Sequence, residues 1–396
     1  MKILAIHNFH RKGSASGDDQ VYKSETRLLE EHGQEVVKYT ISNDSFDEAG
    51  IVGKMLSVLE MFWSFKNYKA VKEAIKRENP DIVHVHTFFP LLSPSVLYAA
   101  KKCDKKVVVT LHDTRLICPC AISLRDGHTC DLCGDGKYLR MAKYKCYKNS
   151  GLQSLIVAII FKFHRIIRTF YNQIDKYICL NDNQIKQLVE IGFSPDKIVK
   201  KYNFVEDVKI DGSVVLDSDL PERYLVYYGR LGVEKGIDNL KKVWEALPEI
   251  PLVVMGGGPL EEDFAKWAEN QNNVRYMGYV PHEKCLNIVK NAEFIVFPSI
   301  CYEGCSMVVI ETESMGKAIV ATDLGFASEA IIDGVNGVKV ELSNIEQWIE
   351  KIRKLWNEPD KIKQMGIDAR ADYEKNYRSE DNYKQLVQIY EALLNK

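Results

Sequence analysis

Short apolar runs alternate with longer amphipathic stretches along this chain, and the alternation happens twice. No other feature limits the possible folds as tightly. In the first half, residues 2–7, 36–41, 81–86, 106–111 and 176–180 are rich in Val and Ile and read as buried strands. Helical patterns fill the gaps at 18–32 and 94–102, and another opens with Asn181 or Asp182 as its N-cap. Residues 206–220, with Asp207, Asp211, Gly212, Ser213, Asp217, Ser218 and Asp219, are polar and turn-rich, and are expected to link two domains. The pattern then restarts. Strands are expected at 224–228, 251–255, 274–277, 293–297, 318–321 and 337–340, with helices at 234–246, 260–269, 282–291 and 306–316. Two more helices close the chain at 344–356 and 383–394.

Strand–helix repetition of this kind predicts an α/β fold of two doubly wound, Rossmann-like domains. At 396 residues the chain is long enough for two cores. The expected boundaries are 1–205, 206–378 and a terminal segment 379–396. Ligands of such sheets lie at the carboxyl ends of the strands, so a cleft between two facing sheets is the expected site.

Charge is uneven along the chain. Residues 1–205 hold 31 Lys and Arg against 22 Asp and Glu, and the remainder hold 22 against 33. A basic half beside an acidic half suggests different partners, although solvated surface explains it equally well. The formal net charge is −2, and no nucleic-acid partner is expected. The first residues run straight into a strand pattern without a signal-peptide profile. The longest apolar run, residues 155–161, falls far short of the roughly 20 residues a span needs. A cytoplasmic protein is therefore expected, with peripheral contact at the inner membrane face as the alternative.

Four motifs of the second half fall at strand ends or helix starts. Gly229-Arg230-Leu231 precedes Lys235-Gly236, and two cations beside a helix start suit a diphosphate. Gly256-Gly257-Gly258 brings bare amides to a βα turn, without the spacing of a dinucleotide fingerprint. Gly278-Tyr279-Val280-Pro281 could shape a slot for a flat base. The fourth runs from Ser299 to Glu311, with Glu303 in a loop and Glu311 inside an otherwise apolar helix. A carboxylate there can accept from the vicinal hydroxyls of a ribose, and the Ser306 and Met307 amides can meet phosphate. Each motif also has an ordinary reading as a tight turn, a surface cation or a paired core charge.

In this order the four motifs, with the run Ser314-Met315-Gly316-Lys317-Ala318 that follows, resemble the retaining glycosyltransferases of family 4, which have the GT-B fold. The resemblance covers nearly the whole chain. It implies that Arg230 and Lys235 hold the donor diphosphate and stabilise the leaving group. It implies that Glu303 contacts donor-sugar hydroxyls and Glu311 the nucleotide ribose. It also implies that the last helix crosses back onto the first domain.

In the first half, His112 ends a strand in Thr110-Leu111-His112-Asp113. A histidine there is structural or contacts the donor sugar, and the resemblance favours the functional role. His84 and His86 end another strand and could line the acceptor side or simply satisfy the sheet edge. The loop 13–17 resembles the family's glycine loop only at Gly17, and Asp18-Asp19 follow where the family differs. Cys118, Cys130, Cys133 and Cys146 could hold a structural zinc, remain free thiols or form disulfides. Residues 61–69 and 152–171 mix apolar and basic side chains and could meet a membrane surface or be helices that pack on the sheet.

The expected reaction moves a sugar from a nucleoside-diphosphate sugar, UDP- or GDP-linked, to a hydroxyl of a glycan or lipid-linked acceptor, with retention. No catalytic cofactor is expected, because fixed cations stand where a metal would. The alternatives are a sugar-nucleotide epimerase on the same fold and a non-catalytic glycan-binding protein.

Overall fold

In the strand β1 (Lys2–Phe9) every residue from Ile3 to Asn8 is buried, which requires cover on both faces of the sheet. A computed structural model describes residues 1–11, 16–48, 51–208 and 220–395, and shows what provides that cover. β1 lies in a six-stranded sheet with β2 (Glu35–Ser42), β3 (Ile82–Thr87) and β4 (Lys106–Leu111). A hairpin of β5 (Leu124–Arg125) and β6 (His128–Thr129) interrupts the series before β7 (Lys176–Cys179) and β8 (Ile198–Lys200). The sheet order is β2-β1-β3-β4-β7-β8, and every pair is parallel.

Period-two alternation divides these strands between two cores. Leu4, Ile6, Val83, Val85, Val107 and Val109 pack with Val71, Leu97 and Phe161 on one face. Ile3, Ile82, Val108 and Ile178 pack with Leu386, Ile389, Tyr390 and Leu393 on the other. Those last four belong to the final helix, Ser379–Leu394, so the chain terminus completes the first sheet.

The second sheet contains β9 (Leu225–Tyr228), β10 (Leu252–Met255), β11 (Val274–Tyr276), β12 (Phe294–Phe297), β13 (Ala318–Thr322) and β14 (Gly337–Val340). Its order is β11-β10-β9-β12-β13-β14, again all parallel. The direction of winding reverses between β1 and β3 in the first sheet and between β9 and β12 in the second. Crevices open at the carboxyl ends of such pairs.

The chain groups into two units. One comprises Met1–Ser123, Asp131–Asn203 and Glu380–Lys396; the other comprises Leu124–Cys130 and Phe204–Ser379. The short hairpin of β5 and β6 thus groups with the second unit, although it is embedded in the sequence of the first. Leu124 packs there against Ile300 and Cys301. Most of the expected linker, residues 209–219, lies outside the described residues.

Several elements were not expected from the sequence, among them the helices Phe65–Glu78 and Gly325–Ala330 and the strand β8, and two differences bear on the second unit. The helix expected over 234–246 is divided: a 3-10 turn, Val233–Lys235, ends at Gly236, and the α-helix runs over Ile237–Glu245. The helix Pro359–Asn376 was not expected. Its buried stripe includes Gly366 and Ala369, whose weak hydrophobic signal hides the helical period. Among the described residues, no helix is long and apolar enough to cross a membrane.

Candidate functional site

The second unit gathers the four motifs. β9 and β12 are paired neighbours, with Val226 opposite Ile295, so the segments after Tyr228 and Phe297 emerge side by side. Gly236 has φ 72°, and a Cβ there would strike the Pro298 carbonyl. Only glycine lets the Lys235 turn lie against the end of β12. The Ile300 amide then donates to the Glu234 carbonyl at 2.9 Å, tying turn and loop together.

This close approach brings Lys235 Nζ to 2.5 Å from Glu303 Oε1. Ser299 Oγ donates to the same oxygen at 2.7 Å. Burial opposes the charge on both partners. Their mutual attraction outweighs it, so Lys235 is held above its ordinary pKa and Glu303 below. The two side chains assigned to different ends of a donor are therefore directly paired. Arg230 remains half exposed, its Nη1 3.7 Å from Glu234. Its backbone is fixed, because the Tyr227 hydroxyl donates to the Arg230 carbonyl at 2.8 Å.

The glycine loops stand next to this pair. The Leu231 amide donates to the Gly257 carbonyl at 2.9 Å, and the Gly256 amide donates to the Gly278 carbonyl at 2.8 Å. A Cβ at Gly256, φ 137°, would collide with the Gly229 carbonyl. The loops after β9, β10 and β11 are thus laced together by backbone. Val280 is half-buried two residues past Gly278, just before the helix His282–Asn291.

Ser306 is the N-cap of the helix Met307–Ser314, but its side chain makes no capping hydrogen bond. The first-turn amides, beginning at Met307, are left uncapped by that side chain, an arrangement suited to an anion. Glu311 lies buried in the same helix. Burial pushes its carboxyl up to about 7, and the neighbouring Tyr228 hydroxyl pulls the other way. His282 Nε2 is 3.6 Å from Glu311 Oε1. Ser299, Tyr228 and His282 were missed in the sequence, because nothing local marks a residue that only supports another.

The first unit carries a second polar cluster. His112 follows β4, and its Nε2 is 3.1 Å from His86 Nδ1. The rings are stacked with centroids 5.3 Å apart. Glu25 Oε1 lies 3.2 Å from His86 Nε2 and 3.3 Å from His84 Nδ1. Its other oxygen accepts from Lys201 Nζ at 3.0 Å. Burial opposes its charge, but the Lys201 ammonium outweighs burial and holds Glu25 well below the usual carboxylate range. Sequence reading missed Glu25 and Lys201; the available signal was one Glu within the apolar stripe Val21, Tyr22, Thr26, Leu28 and Leu29.

Gly17 opens the helix Gly17–Glu31, and the Ser16 hydroxyl accepts from the Asp19 amide as its cap. Residues 13–15 of that glycine loop lie outside the described residues. Asp19 Oδ1 contacts His7 Nε2 at 2.8 Å and His10 Nδ1 at 3.1 Å.

The cysteines do not come together as a metal set. Among the described residues, Glu25, His84 and His86 form the one group of three whose ligand atoms are close enough for an ion. Lys201 already supplies a cation there. Cys118 Sγ is instead 3.2 Å from Cys120 Sγ. None of the ten cysteines is in a disulfide.

The chain is thus built on two parallel doubly wound sheets, and in the second unit Glu303 of the Lys235–Glu303 pair lies four residues ahead of the helix Met307–Ser314. Residues 213–372 match the family model for glycosyl transferases group 1, and residues 24–208 match that for glycosyltransferase family 4. The chain belongs to the group 1 glycosyl transferases, on the GT-B fold. It is 29% identical over 232 residues to the uncharacterized glycosyltransferase MJ1069 of Methanocaldococcus jannaschii, covering 55% of this chain and 59% of the relative. The match to the Escherichia coli O-antigen chain mannosyltransferase C is 20% identical and covers 100% of this chain and 99% of that one. Among solved structures, Anabaena Alr3699/HepE in complex with UDP superposes with a TM-score of 0.66 at 16% identity, covering 99% of this chain and 100% of the other.

Proposed function

We propose that the chain transfers a sugar, with retained configuration, from a nucleoside-diphosphate sugar to an acceptor hydroxyl in surface polysaccharide or glycolipid assembly. The observation that carries this reading is the Lys235–Glu303 pair at the reversal point of the second sheet, ahead of the helix Met307–Ser314, whose N-cap side chain makes no capping hydrogen bond. The UDP bound to the Anabaena protein and the mannosyl transfer named for the E. coli relative are consistent with it.

In this reading Arg230 and Lys235 stabilise the charge that develops on the departing diphosphate, assisted by the Ser306 and Met307 amides. Lys235 is ionised throughout the physiological range, so the cation needs no proton uptake before it acts. Glu303, kept ionised by Lys235, accepts hydrogen bonds from sugar hydroxyls, and Glu311 accepts from the ribose. Gly257 and Val280 of the second unit offer backbone to the donor, and Gly17 is the backbone candidate of the first unit. His112 acts on the sugar side. Fixed cations replace a catalytic metal, so chelators should leave turnover unchanged.

A panel of UDP-, GDP- and ADP-sugars tests the proposal. Binding of one donor class with slow hydrolysis is expected. Conversion of the donor to an isomer without hydrolysis would instead indicate an epimerase. Folded protein that binds no donor would reject both.

A further inference from the structure

The buried cluster of the first unit has a chemistry that the donor clamp does not use. Glu25 Oε1 has no hydrogen-bond donor of good geometry, yet two imidazole nitrogens lie within 3.3 Å of it. Glu25 already balances the Lys201 ammonium, and both side chains are 2% exposed. The cluster therefore has one charge of each sign, and the carboxylate has no spare charge to balance a buried imidazolium. An imidazole nitrogen facing an ionised carboxylate at 3.2 Å must carry its proton, because two lone pairs would repel. His86 is then protonated at Nε2, and its Nδ1 is an acceptor. His112 Nε2, 3.1 Å away, must be the donor to it. That leaves His112 Nδ1 without a proton.

We propose that Glu25 acts through His86 to fix His112 as its Nε2–H tautomer, so that an unprotonated Nδ1 is presented at the carboxyl end of β4. Glu25 and His86 are positioning residues for His112. Burial lowers the His112 pKa well below its ordinary value, which keeps the ring neutral as the relay requires. The final helix anchors the far end. Asn382 Oδ1 accepts from Lys201 Nζ at 2.8 Å, and the Tyr390 hydroxyl is 2.7 Å from His84 Nδ1. His84 Nε2 in turn is 2.8 Å from Thr110 Oγ1. The C-terminal helix thus does more than cover apolar surface: it holds the ammonium that holds Glu25.

The functional consequence rests on His112 acting in sugar transfer, but the tautomer itself does not, so the two can fail separately. Nitrogen-15 NMR of the full chain labelled at histidine reads the tautomer directly. His112 is expected as a single Nε2–H species in the native protein. Glu25→Gln alone strands the Lys201 ammonium and could unfold the chain, so the variant Glu25→Gln/Lys201→Met removes both charges together. His86→Phe breaks the relay without touching the ion pair. Both folded variants should lose the single tautomer. Turnover of the donor consumed in the panel should fall at least about tenfold in kcat, with donor KM nearly unchanged. Native His112 protonated at Nδ1, or a single Nε2–H species surviving in both variants, would overturn the relay. An intact relay in a protein whose His112→Ala variant keeps full turnover would instead remove His112 from the reaction, and the kcat losses of the relay variants with it.

Discussion

Two acidic residues of the second unit sit in opposite electrostatic environments. Glu303 is held ionised by Lys235, whereas Glu311 is pushed toward neutrality by burial. Because the folded pKa of Glu311 lies above its unfolded value, the folded state binds its proton more tightly. Stability from this group is fully present below about 4.5 and is lost as pH rises toward about 7. The shift corresponds to a loss on the order of 3 kcal/mol. Glu311→Gln should therefore be more stable than native protein at pH 8 and gain little at pH 5, read from urea midpoints. If Glu311 grips a ribose, the same variant should bind UDP more weakly at pH 8. Equal UDP affinity for variant and native protein would exclude that role. The Lys235–Glu303 pair makes a different prediction. Lys235→Met leaves a carboxylate without its cation and should cost about 3 kcal/mol, while Lys235→Met/Glu303→Gln should recover much of it. Turnover should stay low in both, by about a hundredfold or more, because the leaving-group cation is gone. Glu303, Lys235 and Glu311 stood out in the sequence because they fall beside strand ends and helix starts in the order the resemblance implies. Their partnership did not, since 68 residues separate Lys235 from Glu303.

Among the elements, the turn Val233–Lys235 and the final helix show how local sequence and tertiary need diverge. Helical periodicity runs through residues 234–246, yet Gly236 takes φ 72° and splits the segment. That break allows the Pro298 carbonyl to approach and Lys235 to reach Glu303. Gly236→Ala would meet both a strained backbone and the Pro298 carbonyl, and should destabilise the protein by about 2 kcal/mol or more. A thermal melt of that variant checks it, and an unchanged midpoint would show that the turn can move away. The final helix was legible from its apolar period, and its return to the first domain was expected from resemblance. Its polar cargo of Asn382 and Tyr390 was not, because a buried Asn and a buried Tyr look like surface residues until their partners are placed.

For the molecule as a whole, the uneven charge and the exposed apolar side chains belong together. On the helix Gly151–Ile166, Leu152 is 70% exposed and Ile166 69%, and Ile159 and Phe163 are also exposed. Lys143, Lys145, Lys148, Lys162 and Arg168 are exposed in the same stretch of chain. Arg165 instead turns inward, donating to the Tyr138 hydroxyl at 3.0 Å. An anionic lipid surface fits this combination. The protein should co-sediment with vesicles containing phosphatidylglycerol, less with phosphatidylcholine alone and less again at high salt. Leu152→Glu/Ile166→Glu should abolish binding with an unchanged melting temperature; binding retained by that variant would locate the contact elsewhere.

The sequence by itself determined two doubly wound sheets and the order of the donor motifs, because hydrophobic period and loop glycines are local properties of a chain. Only the tertiary structure decided what those residues do to one another. It paired Lys235 with Glu303, placed Tyr228 and His282 beside Glu311, kept the cysteines from forming one ligand set, and buried Glu25 between an ammonium and two imidazoles. Each of these depends on desolvation and on contacts across long stretches of chain, and neither can be read from the spacing of residues along it.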